Sequence, residues 1–318
     1  MKRFLFFLFI ISILAGNTVE SQADSKVIKK ETFTYSIKGN DTLRLDKYTV
    51  PDISTPKACI IFVFGGGFSG GSKDSKNNVN YLENLARMGY VSVGIDYRLG
   101  MKNVKMQEGE NPMELVSKLE NSIAMAVEDL YDATSFVYKK ANEWNINRNL
   151  IIANGSSAGA VTVLQAEYLI CTNSELTRKL PENFNYAGII SFAGAIAKST
   201  DNFELKRKPA PIQFFHGDAD SNVPFDKLEI GNIGLYGSLS FSEELKKMKS
   251  PYYFYQVNNA AHEIAETPMK HNLNEISVFI QRMVINKSPL MIHTESDEIG
   301  KPELKKDFTI IDFIQSNY

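Results

Sequence analysis

The chain has 318 residues, 43% hydrophobic and 23% charged, with 35 Lys+Arg against 37 Asp+Glu for a formal charge of −2. This is ordinary globular composition and excludes a disordered, collagen-like or multispan membrane chain. So balanced a charge offers no strong field to hold nucleic acid or an anionic membrane.

At the N-terminus, Lys2 and Arg3 precede an apolar run from Phe4 to Leu14, and Ser21-Gln22-Ala23 places small residues around a cleavage point after Ala23. That is the pattern of a secretory signal peptide. The run is too short for a membrane span of about 20 residues, and an uncleaved anchor fits these flanks less well. Asn17 stands where a lipoprotein would need Cys. The expectation is an exported chain, periplasmic or extracellular, with no stable membrane span after cleavage and 318 − 23 = 295 residues left to fold. One domain is expected over 24–290, with a C-terminal extension over 291–318.

Two alternating segments follow, Thr32 to Lys38 and Thr42 to Tyr48, joined by Gly39-Asn40-Asp41, which predicts a β-hairpin. The rhythm then changes to continuous apolar runs at 58–64, 90–95, 150–153, 187–192, 211–215 and 252–257. Such runs fit strands covered on both faces, as in a parallel sheet. Helical stripes lie between them: Leu130, Ala133, Val137, Ala141 and Trp144; Val161, Leu164, Ala166 and Leu169; Ile276, Phe279, Ile280 and Met283. The pattern predicts an α/β fold with a mostly parallel sheet of about eight strands and helices on both faces. Residues 99–120 (with Met101, Met106 and Met113) and 226–240 read as insertions that wall or cover a pocket. The tail 287–318 is polar and is expected to pack loosely. The chain has two Cys, Cys59 and Cys171. Export would permit a bridge, but two buried thiols are the expectation, and no Cys/His spacing suggests a metal.

Gly155-Ser156-Ser157-Ala158-Gly159 matches G-x-S-x-G after a predicted strand and before a predicted helix. A sharp strand-to-helix turn lifts its central Ser out of the sheet beside N–H groups at the helix start. The plain alternative is a tight βα turn with a capping Ser. A Ser nucleophile needs a base and an orienting acid. Asp220 lies just past the 211–215 strand and His262 just past the 252–257 strand, in the chain order Ser, Asp, His. Asp218 and Asp226 are fallback acids. His216 is expected to shape the acid loop, and His271 and His293 to stay outside the site. Gly65-Gly66-Gly67-Phe68 ends the 58–64 strand, where bare backbone can turn N–H groups toward a developing oxyanion. The same stretch also fits a dinucleotide fingerprint, Gly65-x-Gly67-x-x-Gly70 with Asp96 as the ribose acid, but a polar loop follows where a helix should open. A P-loop fits worse still, since Gly71-Ser72-Lys73 is not Gly-Lys-Ser/Thr.

FGGGF (64–68), DYR (96–98), GSSAG (155–159), HGDAD with SNVP (216–224) and AHE (261–263) together resemble the α/β-hydrolase esterases, especially hormone-sensitive-lipase-like enzymes and bacterial feruloyl/acetyl esterases. The resemblance spans about residues 30–285. It implies Ser157 as nucleophile, Asp220 as acid and His262 as base. The oxyanion donors it implies are the N–H groups of Gly66, Gly67 and Ala158, with Asp96 and Arg98 bracing that loop. Phe68 and Ser156 are candidate substrate contacts. Phe64 departs from relatives that carry His there, a residue that props the loop. The implied activity is cofactor-free, metal-free hydrolysis of small acyl esters, acetyl or feruloyl groups on carbohydrate among them. Two other classes would use or mimic the same residues. A serine peptidase of this fold is expected to carry a large extra domain, and a non-catalytic binding relative is expected to have lost a member of the Ser-His-Asp set.

Overall fold

The computed structural model describes residues 27–51, 55–104, 112–201, 203 and 205–317. The expected signal segment and Met106 lie outside the described residues. In chain order the strands are β1 (Lys29–Lys38), β2 (Asp41–Thr49), β3 (Lys57–Val63), β4 (Val91–Ile95), β5 (Ile146–Ser156), β6 (Gly188–Phe192), β7 (Ala195–Ser199), β8 (Ile212–Gly217), β9 (Lys227–Ile230), β10 (Ile233–Gly237), β11 (Tyr252–Val257) and β12 (Met291–Ser296). The helices are α1 (Lys76–Arg87), α2 (Pro112–Lys140), α3 (Ala158–Thr172), α4 (Ser238–Lys247), α5 (Pro268–His271), α6 (Leu273–Phe279) and α7 (Ile310–Asn317).

Nine strands form the main sheet in the order β1-β2-β4-β3-β5-β6-β8-β11-β12. The β1–β2 hairpin turns on Gly39 at φ 60° and joins β4 antiparallel, Leu45 opposite Ile95. Every pairing from β4 to β12 is parallel. Ala58 to Val63 of β3 are all buried, which is why that segment reads as one unbroken apolar run. Strand order reverses between β3 and β5, where Val63 sits opposite Gly155. In open α/β sheets the crevice at such a switch point is where ligands bind. The glycine loop after β3 and the Ser157 turn after β5 both leave the sheet there.

The mostly parallel sheet of about eight strands that the sequence predicts has nine, because the tail contributes β12, parallel to β11 with Met291 opposite Tyr252. Its sequence Met-Ile-His-Thr-Glu-Ser alternates half-buried with exposed, as an edge strand does, so it carries no continuous apolar run. The tail is not loose: it ends in α7, whose Phe313 is 8% exposed. Residues 112–120 of the 99–120 segment are helical, since α2 already starts at Pro112, a residue suited to the first helical turn. The other expected insertion folds as the β9–β10 hairpin, and with β7 it makes a second, antiparallel sheet of three strands.

Asp129, fully buried on α2, anchors the hairpin side of the sheet by taking Lys38 Nζ at 2.7 Å and Arg98 at 2.8 Å. Cys59 and Cys171 are free and buried. Among the described residues, no helix is long and apolar enough to cross a membrane.

Candidate active site

β5 ends at Ser156 and α3 starts at Ala158, so the whole reversal falls on Ser157, at φ 52° and ψ −120°. A non-glycine residue pays roughly 1–3 kcal/mol to sit in such a region and stays only where its surroundings over-determine it. Here the Ser157 N–H donates to Phe192 O at 2.8 Å and its C=O accepts from Val161 N–H at 2.9 Å. The flanking glycines are steric necessities. A Cβ on Gly155 would stand 2.1 Å from Gly159 O, and one on Gly159 would stand 2.0 Å from Val63 O.

Ser157 Oγ lies 2.8 Å from His262 Nε2, and His262 Nδ1 lies 2.8 Å from Asp220 Oδ2. The consistent tautomer has Nδ1–H donating to the carboxylate while Nε2 accepts from the serine hydroxyl. Asp220 is 2% exposed, and its Oδ1 accepts the N–H groups of Asn222 (2.8 Å) and Val223 (3.0 Å). Burial pushes this carboxyl pKa up, but hydrogen bonds to His216 and His262 outweigh it and hold the group well below the usual carboxylate range. Asp220 is therefore charged at neutral pH.

His216 does shape the acid loop. It is fully buried, with Nδ1 2.8 Å from Ser238 Oγ and Nε2 3.3 Å from both Asp220 Oδ2 and Val223 O. The fallback acids are engaged elsewhere. Asp218 takes the Asn259 N–H at 2.7 Å and Lys306 at 2.9 Å, while Asp226 takes the Ser240 hydroxyl. His293 stacks on Phe254 at the sheet edge. His271 closes α5 and, contrary to expectation, lines the groove in front of Ser157.

The glycine loop curls on itself. Gly66, at φ 129°, accepts the N–H groups of Ser69 and Gly70 at 3.0 Å each, and a Cβ there would meet Gly70 O at 2.4 Å. Gly67 and Phe68 follow at φ 60° and 58°. This run places Gly67 beside Ser157 and Ala158 at the same cavity wall. Ala158 is the first residue of α3, where N–H groups have no partner within the helix. The loop continues to Ser75, which caps α1 by accepting the Asn78 N–H at 3.4 Å. The helix thus begins well after the glycines, which removes the dinucleotide reading.

Of the two expected braces, Asp96 reaches this loop and Arg98 does not. Asp96 lies 3.9 Å from Lys73 on the loop and accepts from Arg44 N–H at 3.2 Å, while Arg98 pairs with Glu128 and Asp129 on α2. The residue between them adds a second brace: the Tyr97 hydroxyl donates to Phe64 O at 3.0 Å, and its ring sits 4.5 Å from that of Phe64. Ser156 is likewise reassigned. Its hydroxyl donates to Ala265 O at 2.7 Å, so it links two turns of the site instead of waiting for substrate.

Two spaces meet at Ser157. One is an apolar cavity of about 40 Å³ walled by Phe68, Leu119, Ile123, Val161, Leu235 and Phe313. The other is a polar groove of about 770 Å³ that includes Ser69, Ser72, Glu263, Glu266, Lys270 and His271. Leu119 and Leu235 lie in the two segments expected to wall a pocket, whereas Ile123 and Phe313 were not anticipated as site residues. The signal for Phe313 was present, since Ile310, Phe313 and Ile314 recur at helical spacing in the tail. Among the described residues, no group of His, Cys, Asp and Glu could hold a metal ion.

The sheet order, the Ser157 turn and the residues converging on it define the α/β-hydrolase fold. Solved structures of Thermogutta terrifontis esterase 2 share it. The form phosphoramylated by tabun superposes with a TM-score of 0.58 at 22% identity, covering 82% of this chain and 96% of that one. The propionate-bound and butyrate-bound forms follow at TM-scores of 0.57 and 0.55, with 22% and 21% identity, each covering 82% of this chain and 95% of the other. At such identities the likeness is one of fold. No family model and no curated protein matches the chain.

Proposed function

We propose that this chain is a serine carboxylic-ester hydrolase, exported through residues 1–23, that acts on short acyl esters of polar alcohols. The observation that carries the proposal is the continuous line from Ser157 Oγ through His262 to Asp220, two contacts of 2.8 Å each. Ser157 attacks the ester carbonyl while His262 Nε2 takes its proton. Asp220 holds the imidazole and balances the charge it gains. The N–H groups of Gly66, Gly67 and Ala158 receive the oxyanion, and removing one such donor typically costs about 10²–10³ in rate. His262 then protonates the leaving alcohol. Water, activated by the same imidazole, attacks the acyl-enzyme and frees the acid and Ser157. The route calls for no metal or cofactor.

The two spaces divide the substrate. The narrow apolar cavity of about 40 Å³ beside Ser157 favours short acyl groups, acetyl to butyryl, over a bulky feruloyl group. The propionate and butyrate bound to the fold neighbour support that range. The groove carries hydroxyls, carboxylates, an ammonium and an imidazole. These suit a polyhydroxylated alcohol, and an acetylated carbohydrate is the substrate class they favour.

The test is hydrolysis of p-nitrophenyl acetate and butyrate by the mature protein beside Ser157→Ala, with paraoxon as a covalent probe. Turnover that falls to background in the variant, together with one paraoxon adduct mapped to Ser157, is the expected result. A wild-type protein that neither turns over these esters nor takes up paraoxon would sink the proposal.

A further inference from the structure

A second apolar cavity, of about 30 Å³, lies behind the first. The two share four wall residues, Leu119, Ile123, Leu235 and Phe313, and only the first reaches Ser157. Beyond the shared wall, the second is lined by Val116 on α2, Ala197 on β7, and Leu228, Ile230 and Ile233 of the β9–β10 hairpin. Among the described residues, its one charged lining residue is Glu120. Close-packed interiors keep few voids larger than a water, and an apolar one lined in this way stays dry and takes apolar ligands.

The four shared residues are not equally fixed. Leu119 and Ile123 belong to the body of a 29-residue helix. Leu235 sits on the middle strand of the small sheet, paired on both sides. Phe313 rides on the eight-residue α7. Asp312 of that helix pairs only with Lys305 of the same tail (2.8 Å), and the helix is held to the body at its other end by Asn222 to Ser316 O and Asn317 to Asn222 O (3.0 Å each).

We infer that Phe313 is the partition of a two-compartment acyl site: it closes the acyl pocket at about four carbons, and the space behind it is a preformed subsite for linear acyl chains of six to eight carbons. The inference rests on the ester-hydrolase reading for the placement of the acyl carbon at Ser157. The binding of an aliphatic carboxylate across both compartments does not depend on it. Removing the ring joins the compartments without touching Ser157, Asp220 or His262. Filling the rear one from Ala197, whose hydrogen bonds to Gln165 are made by its backbone, takes the new space away again.

The experiment has two arms. In the first, kcat/KM is measured on p-nitrophenyl acetate, butyrate, hexanoate and octanoate for wild type, Phe313→Ala, Phe313→Leu and Phe313→Ala with Ala197→Leu. In the second, octanoate and butyrate binding are measured by calorimetry in Ser157→Ala with and without Phe313→Ala. The expected result is an octanoate-to-acetate ratio at least tenfold higher in Phe313→Ala, a smaller rise in Phe313→Leu, and return to the wild-type ratio when Ala197→Leu is added. Octanoate affinity rises at least tenfold in the second arm, whereas butyrate, which loses its contact with the ring, binds no more tightly than before. An unchanged chain-length profile and unchanged octanoate affinity, in either Phe313 variant that melts as a folded protein, overturn the inference. Octanoate binding that responds to Phe313 in a protein without ester turnover overturns the hydrolase reading and leaves the second compartment standing.

Discussion

Ser156 donates its hydroxyl to the carbonyl of Ala265 at 2.7 Å across 109 residues of chain. The turn that presents Ser157 is thereby fastened to the short 3₁₀ turn His262–Ala265 that presents the imidazole. Their distance is set by a bond independent of the one between Ser157 and His262.

Ser156→Ala is expected to lower kcat on p-nitrophenyl acetate about tenfold with little change in KM. The net value of one such hydrogen bond is about 0.5–1.5 kcal/mol, and tenfold in rate is about 1.4 kcal/mol. Steady-state kinetics beside a melting curve check it. A proportional rise in KM with kcat unchanged would return Ser156 to the role of a substrate contact.

The strain at Ser157 is measurable without any substrate. Glycine adopts φ 52° freely, whereas alanine inherits the penalty of the serine. Ser157→Gly is therefore expected to be more stable than Ser157→Ala by about 1 kcal/mol, after the loss of chain entropy to glycine is set against the relief of strain. Chemical denaturation of the two inactive variants decides the matter. Equal midpoints would mean that the turn is unstrained.

Glu167 predicts how stability depends on pH. Its Oε1 accepts the Ala210 N–H at 2.7 Å, while its Oε2 and the nearby Asn185 Oδ1 are both buried without a partner. Burial pushes the carboxyl up to about 7, against hydrogen bonds from Ala210 and Cys171 that pull it down. Protonation removes the cost of holding an uncompensated charge in this fully buried place. The folded protein holds that proton more tightly than the unfolded chain, whose Glu titrates near 4.3. The contribution is thus complete below pH 4.3 and is lost as pH rises through 7, on the order of 3 kcal/mol in all. Glu167→Gln is expected to flatten this slope and to exceed wild type in stability at pH 8. Denaturation at pH 5 and pH 8 reads both, and parallel losses in the two proteins would place the proton elsewhere.

Sequence pattern located the residues around Ser157 for a physical reason. Ser157 and Asp220 each follow a strand buried on both faces at its end, so a continuous apolar run announces it. The half-buried β11 before His262 still reads as a short aromatic run closed by turn residues at the edge where function gathers. Phe313, Leu119 and Ile123 carried no such marker. They wall the cavity from α7 and from the first turns of α2, and α2 opens after a Gly-Glu-Asn-Pro stretch that reads as loop. Strand β12 was hidden because an edge strand has only one face to bury. Tyr97 was overlooked for a different reason. The resemblance drew attention to the charged residues on either side of it, and nothing in the sequence marks an apolar ring whose hydroxyl reaches Phe64 O.

The spacing of the site along the chain governs when it comes into being. Ser157 and His262 are 105 residues apart and Asp220 and His262 are 42 apart, and the cavity wall also waits for Phe313. No local segment can assemble this set. Parallel pairings over such separations are slow to form, and chains of this size fold through collapsed intermediates that already hold much of their secondary structure. During refolding, turnover will return last, after helical signal and tryptophan burial. The protein carries its own stopwatch for complete folding.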